Sequence, residues 1–255
     1  MDDETKANIA FACLSQRLCL EFDSSPHNFD EERHIEAHMR LGLKIGADNK
    51  FTISSSGSEP LLAEAASTLM LQESFKPAEW LKSILSGFSV NKGDRGELVA
   101  MLAVTVARDM AVEKRSDNFG IAKSVLLGEI NFRDDSNLFR AVTVCEFLGK
   151  LFKLDEPIMK ALEADFRNAY VYFNHFIKPY TQDTCTLHFL LQYMTRGAAA
   201  LCAKCMPGIA FLLAALFRSK GGLKLRVDRI TGIYFQIKDV DGLTFKRDAR
   251  VSSAI

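Results

Sequence analysis

Gly197 to Phe217 reads GAAALCAKCMPGIAFLLAALF, and whether it forms one element or two decides the fold. Its 21 residues carry a single charge and are flanked by Arg196 and Arg218, the length and setting of a helix that spans a bilayer. Lys204 and the Pro207-Gly208 pair stand in its middle, however. A lysine followed by a Pro-Gly turn divides the stretch into two apolar runs of about ten residues, which suits a buried hairpin. No membrane association is therefore expected.

Downstream, RSKGGLKLRVD forms a basic connection that leads into GIYFQIKDV, Gly232 to Val240. Ile233, Tyr234, Phe235, Ile237 and Val240 are β-branched or aromatic, which marks a strand. Alternation sets Ile233, Phe235 and Ile237 on one face and Tyr234, Gln236 and Lys238 on the other. Three strands are expected, at 197–205, 209–216 and 230–239, with a preceding helix packed on them.

Upstream the chain reads as mostly helical. SSSGSEPLLAEAASTLMLQES offers Ser58 as N-cap and Pro60 in the first turn of a helix over about 59–73. A second helix is expected from Trp80 to Gly87. A third follows the loop NKGDRGE and runs to about Val112, with Leu98, Met101, Leu102, Thr105 and Val106 on one face. Lys114 to Asn118 reads as a loop, 137–153 and 156–176 as helices, and Arg17–Phe22 and Lys50–Ser54 as strands. The expected fold is α+β, or α/β: a single domain over 1–255, helical over about 1–180, with a strand core over about 182–245 to which helix 97–112 contributes.

Composition is that of an ordinary soluble globular chain, 48% hydrophobic and 25% charged with no net charge. Neutrality disfavours bulk coating of nucleic acid, but the charge is uneven. Residues 1–80 carry 7 Lys+Arg against 14 Asp+Glu, and residues 217–255 carry 9 against 4. The six cysteines form no disulfide framework, and the opening MDDETK is acidic where a secretory leader is basic. The expected compartment is reducing, cytoplasmic or nuclear. Cys202 and Cys205 form a lone C-x-x-C with no second pair to complete a zinc site, and buried thiols are the favoured reading. His34 and His38 in HIEAH stand four apart, but Glu36 is not where a zinc protease carries its base, and a solvated helix face is favoured. The sequence carries no phosphate-binding loop, dinucleotide fingerprint or G-x-S-x-G elbow.

A hairpin followed by a strand ending in Gln-x-Lys, with a glutamate on an upstream helix, resembles the core of the PD-(D/E)XK, or restriction-endonuclease-like, superfamily. The resemblance implies a helix Glu, a second-strand Asp and a third-strand (Glu/Gln)-x-Lys gathered around Mg²⁺, which activates water against a phosphodiester. Gln236 and Lys238 match the third-strand pair, and Glu97 in GDRGE matches the helix glutamate and would be the metal ligand, with Glu59 and Glu64 as alternatives. Ala210 stands where the resemblance implies the aspartate. Asp228 or Asp239 would have to replace it in an active enzyme.

SEPLLAEAA, KGDRGE, RGAAALCA and FQIK, in this order, also resemble a lineage-expanded family of fungal proteins without an assigned function. That likeness spans roughly 13–240 and implies a longer C-terminal part, so the chain is expected to be shortened. Three functions follow as expectations. The favoured one is a degenerate nuclease, a pseudoenzyme that binds DNA or RNA through Arg218, Lys220, Lys224, Arg226 and Arg229. The others are an active Mg²⁺-dependent nuclease with a relocated carboxylate, and a module for protein partners that works through helices 59–176. Without that context, Gln236 and Lys238 are a solvent-facing pair and Glu97 is a first-turn carboxylate stabilised by the helix dipole.

Overall fold

The computed structural model describes residues 2–20, 22–23, 40–45, 51–87, 92–119, 141–179, 186–202, 208–218 and 226–237. Lys220, Lys224, Lys238, Asp239, Cys205 and the HIEAH pair lie outside them.

The decisive stretch is two strands. β7 (Ala198–Leu201) and β8 (Phe211–Phe217) are antiparallel, with Ala200 opposite Leu212 and Leu201 opposite Phe211. β9 (Ile230–Phe235) runs antiparallel along the whole of β8, from Leu216 opposite Ile230 to Phe211 opposite Phe235. Among the described residues no helix is long and apolar enough to cross a membrane. β8 also pairs with β5 (Ala169–Val171), while β4 (Val142–Thr143) extends the sheet beyond β5, and β6 (His175–Ile177) runs parallel to β7. The strand core thus recruits strands from before residue 180.

Both faces of this sheet are covered, which explains why FLLAALF shows no polar alternation. On one face Phe211, Leu213 and Ala215 join the main core. That core is supplied by α1 (Asp3–Leu18), α2 (Pro60–Met70), α3 (Pro77–Gly87), α4 (Lys92–Phe119) and α5 (Val144–Leu151). On the other, Leu212, Ala214, Leu216 and Ile230 meet Leu190, Tyr193 and Met194 of α7 (Leu187–Thr195). α6 (Glu156–Phe166) brings no buried side chain and leans on α5. Four ring contacts link the main core from Phe147 through Phe173 and Phe176 to Phe211 and Phe235, at centroid distances of 5.8, 6.2, 5.2 and 4.7 Å. The α+β expectation holds.

A second, three-stranded sheet takes β2 (Arg40–Ile45), β3 (Phe51–Ser56) and β1 (Phe22–Asp23), with β3 central. Arg40 fastens it to α1: its guanidinium donates to Ser15 Oγ (3.1 Å) and Leu20 O (2.8 Å) and lies over the Phe11 ring.

Several local expectations are corrected. Arg17 and Leu18 close α1 rather than opening a strand, because Leu14, Arg17 and Leu18 continue its buried stripe until Cys19 adopts φ 49° and ends it. The expected 156–176 helix stops at Phe166. The aromatic and β-branched run after it is captured by β8 and β7 as β5 and β6. The GDRGE segment and Lys114–Asn118 are helical, both inside the 28-residue α4. Its buried Met101, Leu102, Val104, Thr105, Arg108 and Ala111 extend the packed stripe along the helix. Glu59, not Ser58, is the N-cap of α2, and its side chain makes no capping bond.

Candidate functional site

Of the residues singled out by the nuclease resemblance, Ala210 and Gln236 stand at one end of the β8–β9 ladder, with the segment that carries Glu97 beside them. Ala210 donates its N–H to Phe235 O (2.7 Å) and accepts from Cys202 N (2.9 Å), so it is held between β7 and β9 with its methyl 7% exposed. The exposed Gln236 follows directly, its Nε2 3.3 Å from where a Cβ on Gly208 would stand; Gly208 itself has φ 87°. A Cβ on Gly96, the neighbour of Glu97, would stand 3.8 Å from Ile237 Cγ2. The early turns of α4, the start of β8 and the end of β9 therefore meet.

Among the described residues this end presents no group of metal ligands. Mg²⁺ wants about six oxygens in tight octahedral array, some from carboxylates. The buried Ala210 offers none. Asp228 cannot stand in for the missing aspartate. It lies in the 3₁₀ turn Val227–Arg229 that precedes β9, at the opposite end of the strand from Gln236. There it takes a two-pronged bond from Arg226, Nε to Oδ1 at 2.8 Å and Nη2 to Oδ2 at 2.9 Å. Those bonds hold its carboxyl below the ordinary value, against a small opposing effect of desolvation.

The same topology separates the basic residues from Gln236. Arg218 follows β8, and Arg226 and Arg229 precede β9. The seven residues of β8, about 23 Å of extended chain, lie between that end and Ala210. Gln236 and these cations therefore stand at opposite ends of the ladder.

A third constellation was not foreseen. Arg17, buried, meets Asp109 with both prongs, and Asp109 also takes Arg108 Nη1 at 3.0 Å. Arg108 Nη2 donates to Glu64 (2.7 Å), one of the alternative helix glutamates. Burial works against a charge on Asp109, but Arg17 and Arg108 outweigh it and hold its carboxyl low. Asn174 joins this cluster through Nδ2, which donates to Glu64 Oε1 (3.2 Å) and Pro60 O (3.0 Å). Its Oδ1 lies 2.6 Å from His175 Nδ1, and His175 Nε2 lies 2.8 Å from Ser58 Oγ. Arg196 completes the chain, donating from Nε to Ser58 Oγ (3.3 Å) and from Nη2 to Ser58 O (3.1 Å).

The first half of that cluster left a trace in the sequence. The spacing Leu98, Met101, Leu102, Thr105 continues to Arg108 and Asp109, so two charges fall on an apolar face and call for partners. Ser58 and His175 carried no comparable trace, being 117 residues apart.

A cavity of about 890 Å³ lined by Thr143, Cys145, Glu146, Lys150, Glu163 and Arg167 includes none of these residues.

No protein-family model, no curated protein and no solved structure matches the chain.

Proposed function

We propose that this chain is a nuclease-like scaffold that does not cleave phosphodiesters and that holds DNA or RNA by its basic end. The observation that carries the reading is Ala210. It occupies the buried start of β8, beside Gln236 and close to the first turns of α4, where the restriction-endonuclease-like pattern needs a carboxylate. Without that oxygen donor, Glu97 and Gln236 offer one carboxylate and one amide, fewer acidic oxygens than the restriction-endonuclease-like pattern gathers around Mg²⁺. Retention of nucleic acid rests on Arg218, Arg226 and Arg229, all exposed, with Lys220 and Lys224 between them in sequence. Arg226 already holds Asp228, so a phosphate must displace a carboxylate to reach it.

The test is incubation of the purified chain with single-stranded DNA, duplex DNA and RNA in Mg²⁺ or Mn²⁺, alongside Glu97→Ala and Lys238→Ala. No cleavage, with retention that weakens steeply as salt rises, is expected. Metal-dependent cleavage lost in both variants would overturn the reading in favour of an active nuclease.

A protein-interaction role is the second reading. It is favoured by an apolar cavity of about 440 Å³ between α3 and α4, lined by Ala78, Leu81, Leu85, Val99 and Leu102. Val99 is 56% exposed there. Absence of any nucleic-acid retention at low salt would leave this reading standing.

A further inference from the structure

We infer that Ser58, His175 and Asn174 form a nucleophilic centre able to cleave carboxylic esters, separate from the nuclease-like end of the sheet and independent of it. The case rests on which atoms must carry hydrogens. Pro60 O accepts only, and so does the Glu64 carboxylate; the Asn174 atom that contacts both is therefore the amide nitrogen. Asn174 Oδ1 is then the atom facing His175 Nδ1 at 2.6 Å, and it requires a hydrogen on Nδ1. In the neutral imidazole Nε2 is consequently bare. It can only accept, so the Ser58 hydroxyl donates to it across 2.8 Å. Arg196 Nε, which has no lone pair to offer, fills the acceptor side of Ser58 Oγ. The Asn174 amide thus sets the ring tautomer, and the result is a hydroxyl aimed at an unprotonated imidazole nitrogen.

The surroundings keep the ring neutral. His175 is 1% exposed. Burial, then Arg196 and Arg17, push its pKa down to about 4, against the opposing pull of Glu64 and a hydrogen bond to the backbone of Gly197. Ser58 sits on the three-residue link from β3 to α2, a strand–turn–helix setting. The exposed Arg196 sets a cation on the same oxygen, where it suits the oxyanion of a tetrahedral intermediate. Leu61, 85% exposed, and Leu41, 56% exposed, flank the link and suit an apolar acyl chain.

The step balances without any further reactant. Ser58 Oγ bonds to the ester carbonyl carbon and its proton passes to His175 Nε2. The carbon–oxygen bond to the alcohol then breaks, and the alcohol leaves with that proton. Water attacks the acyl group with the same nitrogen as base, releasing the acid and restoring Ser58.

The full chain treated with a biotinylated fluorophosphonate, digested and mapped by mass spectrometry should carry the adduct on Ser58. His175→Gln should slow labelling at least about 100-fold, and Ser58→Ala, which removes one half-buried oxygen, should abolish turnover of p-nitrophenyl butyrate. Asn174→Ala should slow labelling and mix the two ring ¹⁵N shifts that the wild type keeps distinct. A folded wild type with no adduct at Ser58, labelling undiminished in His175→Gln, or ester turnover surviving in Ser58→Ala would each overturn the inference. The nuclease assay has no bearing on any of these readouts.

Discussion

Arg17 and Asp109 meet fork to fork in the interior, Nη1 to Oδ2 at 2.7 Å and Nη2 to Oδ1 at 2.9 Å, with side chains 0% and 2% exposed. The pair joins the last turn of α1 to the middle of α4, and Arg17 Nε reaches on to Asn174 O at 2.6 Å. Removing one member strands the other without water. Asp109→Ala should therefore cost about 3–5 kcal/mol, read as a lower urea midpoint with unchanged slope. Arg17→Met combined with Asp109→Leu should lose less than Asp109→Ala alone, since Arg108 retains Glu64 and no charge is orphaned.

His175 makes stability depend on pH. Its folded pKa is about 4 against an ordinary 6.5. Above pH 6.5 both folded and unfolded chains hold it neutral, and its contribution is whole. As pH falls from 6.5 toward 4, the unfolded chain binds a proton that the folded chain refuses. Stability should drop by about 3 kcal/mol across that window. Urea titrations at stepped pH should show the slope in wild type and its loss in His175→Gln. Asp109 is shifted the same way, downward: its contribution is present above the unfolded carboxylate value and is lost as pH falls below it, at the acid end of the His175 window and beyond.

Gly197 joins α7 to β7 with φ 62°, and a Cβ there would stand 3.2 Å from Tyr172 Cε1. Gly197→Ala should destabilise by about 1–2 kcal/mol from the left-handed backbone alone, more if the Tyr172 ring cannot yield. Because Arg196 precedes it, the same change should loosen the hold on Ser58. A thermal melt measures the first effect, and the rate of Ser58 labelling measures the second.

What the sequence revealed and what it hid divide along the range of the contacts. β8 was legible because a strand covered on both faces needs nothing but apolar residues, and FLLAALF bounded by a Pro-Gly turn and a basic segment fits that alone. Ala210 and Gln236 meet because β8 pairs with β9, Phe211 standing opposite Phe235. β5 and β6 were not legible: each has three residues, too few to show a period, and both owe their conformation to strands beyond residue 197. The Ser58–His175 pair has the same origin, since the link after β3 and the start of β6 are brought together only by the packed sheet and α2. The separation of Arg218, Arg226 and Arg229 from Gln236 was implicit in an antiparallel pair, whose loop and open end lie at opposite poles.

That separation gives a last expectation. If phosphates are held at the end where β8 leaves and β9 begins, each cation lost there should weaken binding on every sequence alike and lower the salt slope by about one. Arg218→Ala and Arg229→Ala should do so. Arg226→Ala should do less than Arg229→Ala, because Asp228 takes both prongs of its guanidinium. Glu97→Ala and Gln236→Ala, a strand length away, should leave the slope unchanged. Fluorescence anisotropy with a labelled oligonucleotide over a series of salt concentrations measures all five. A slope that responds to Gln236 and not to Arg229 would move the nucleic acid to the opposite end of the sheet, against the Ala210 pole, and the basic connection would then be a solvated turn.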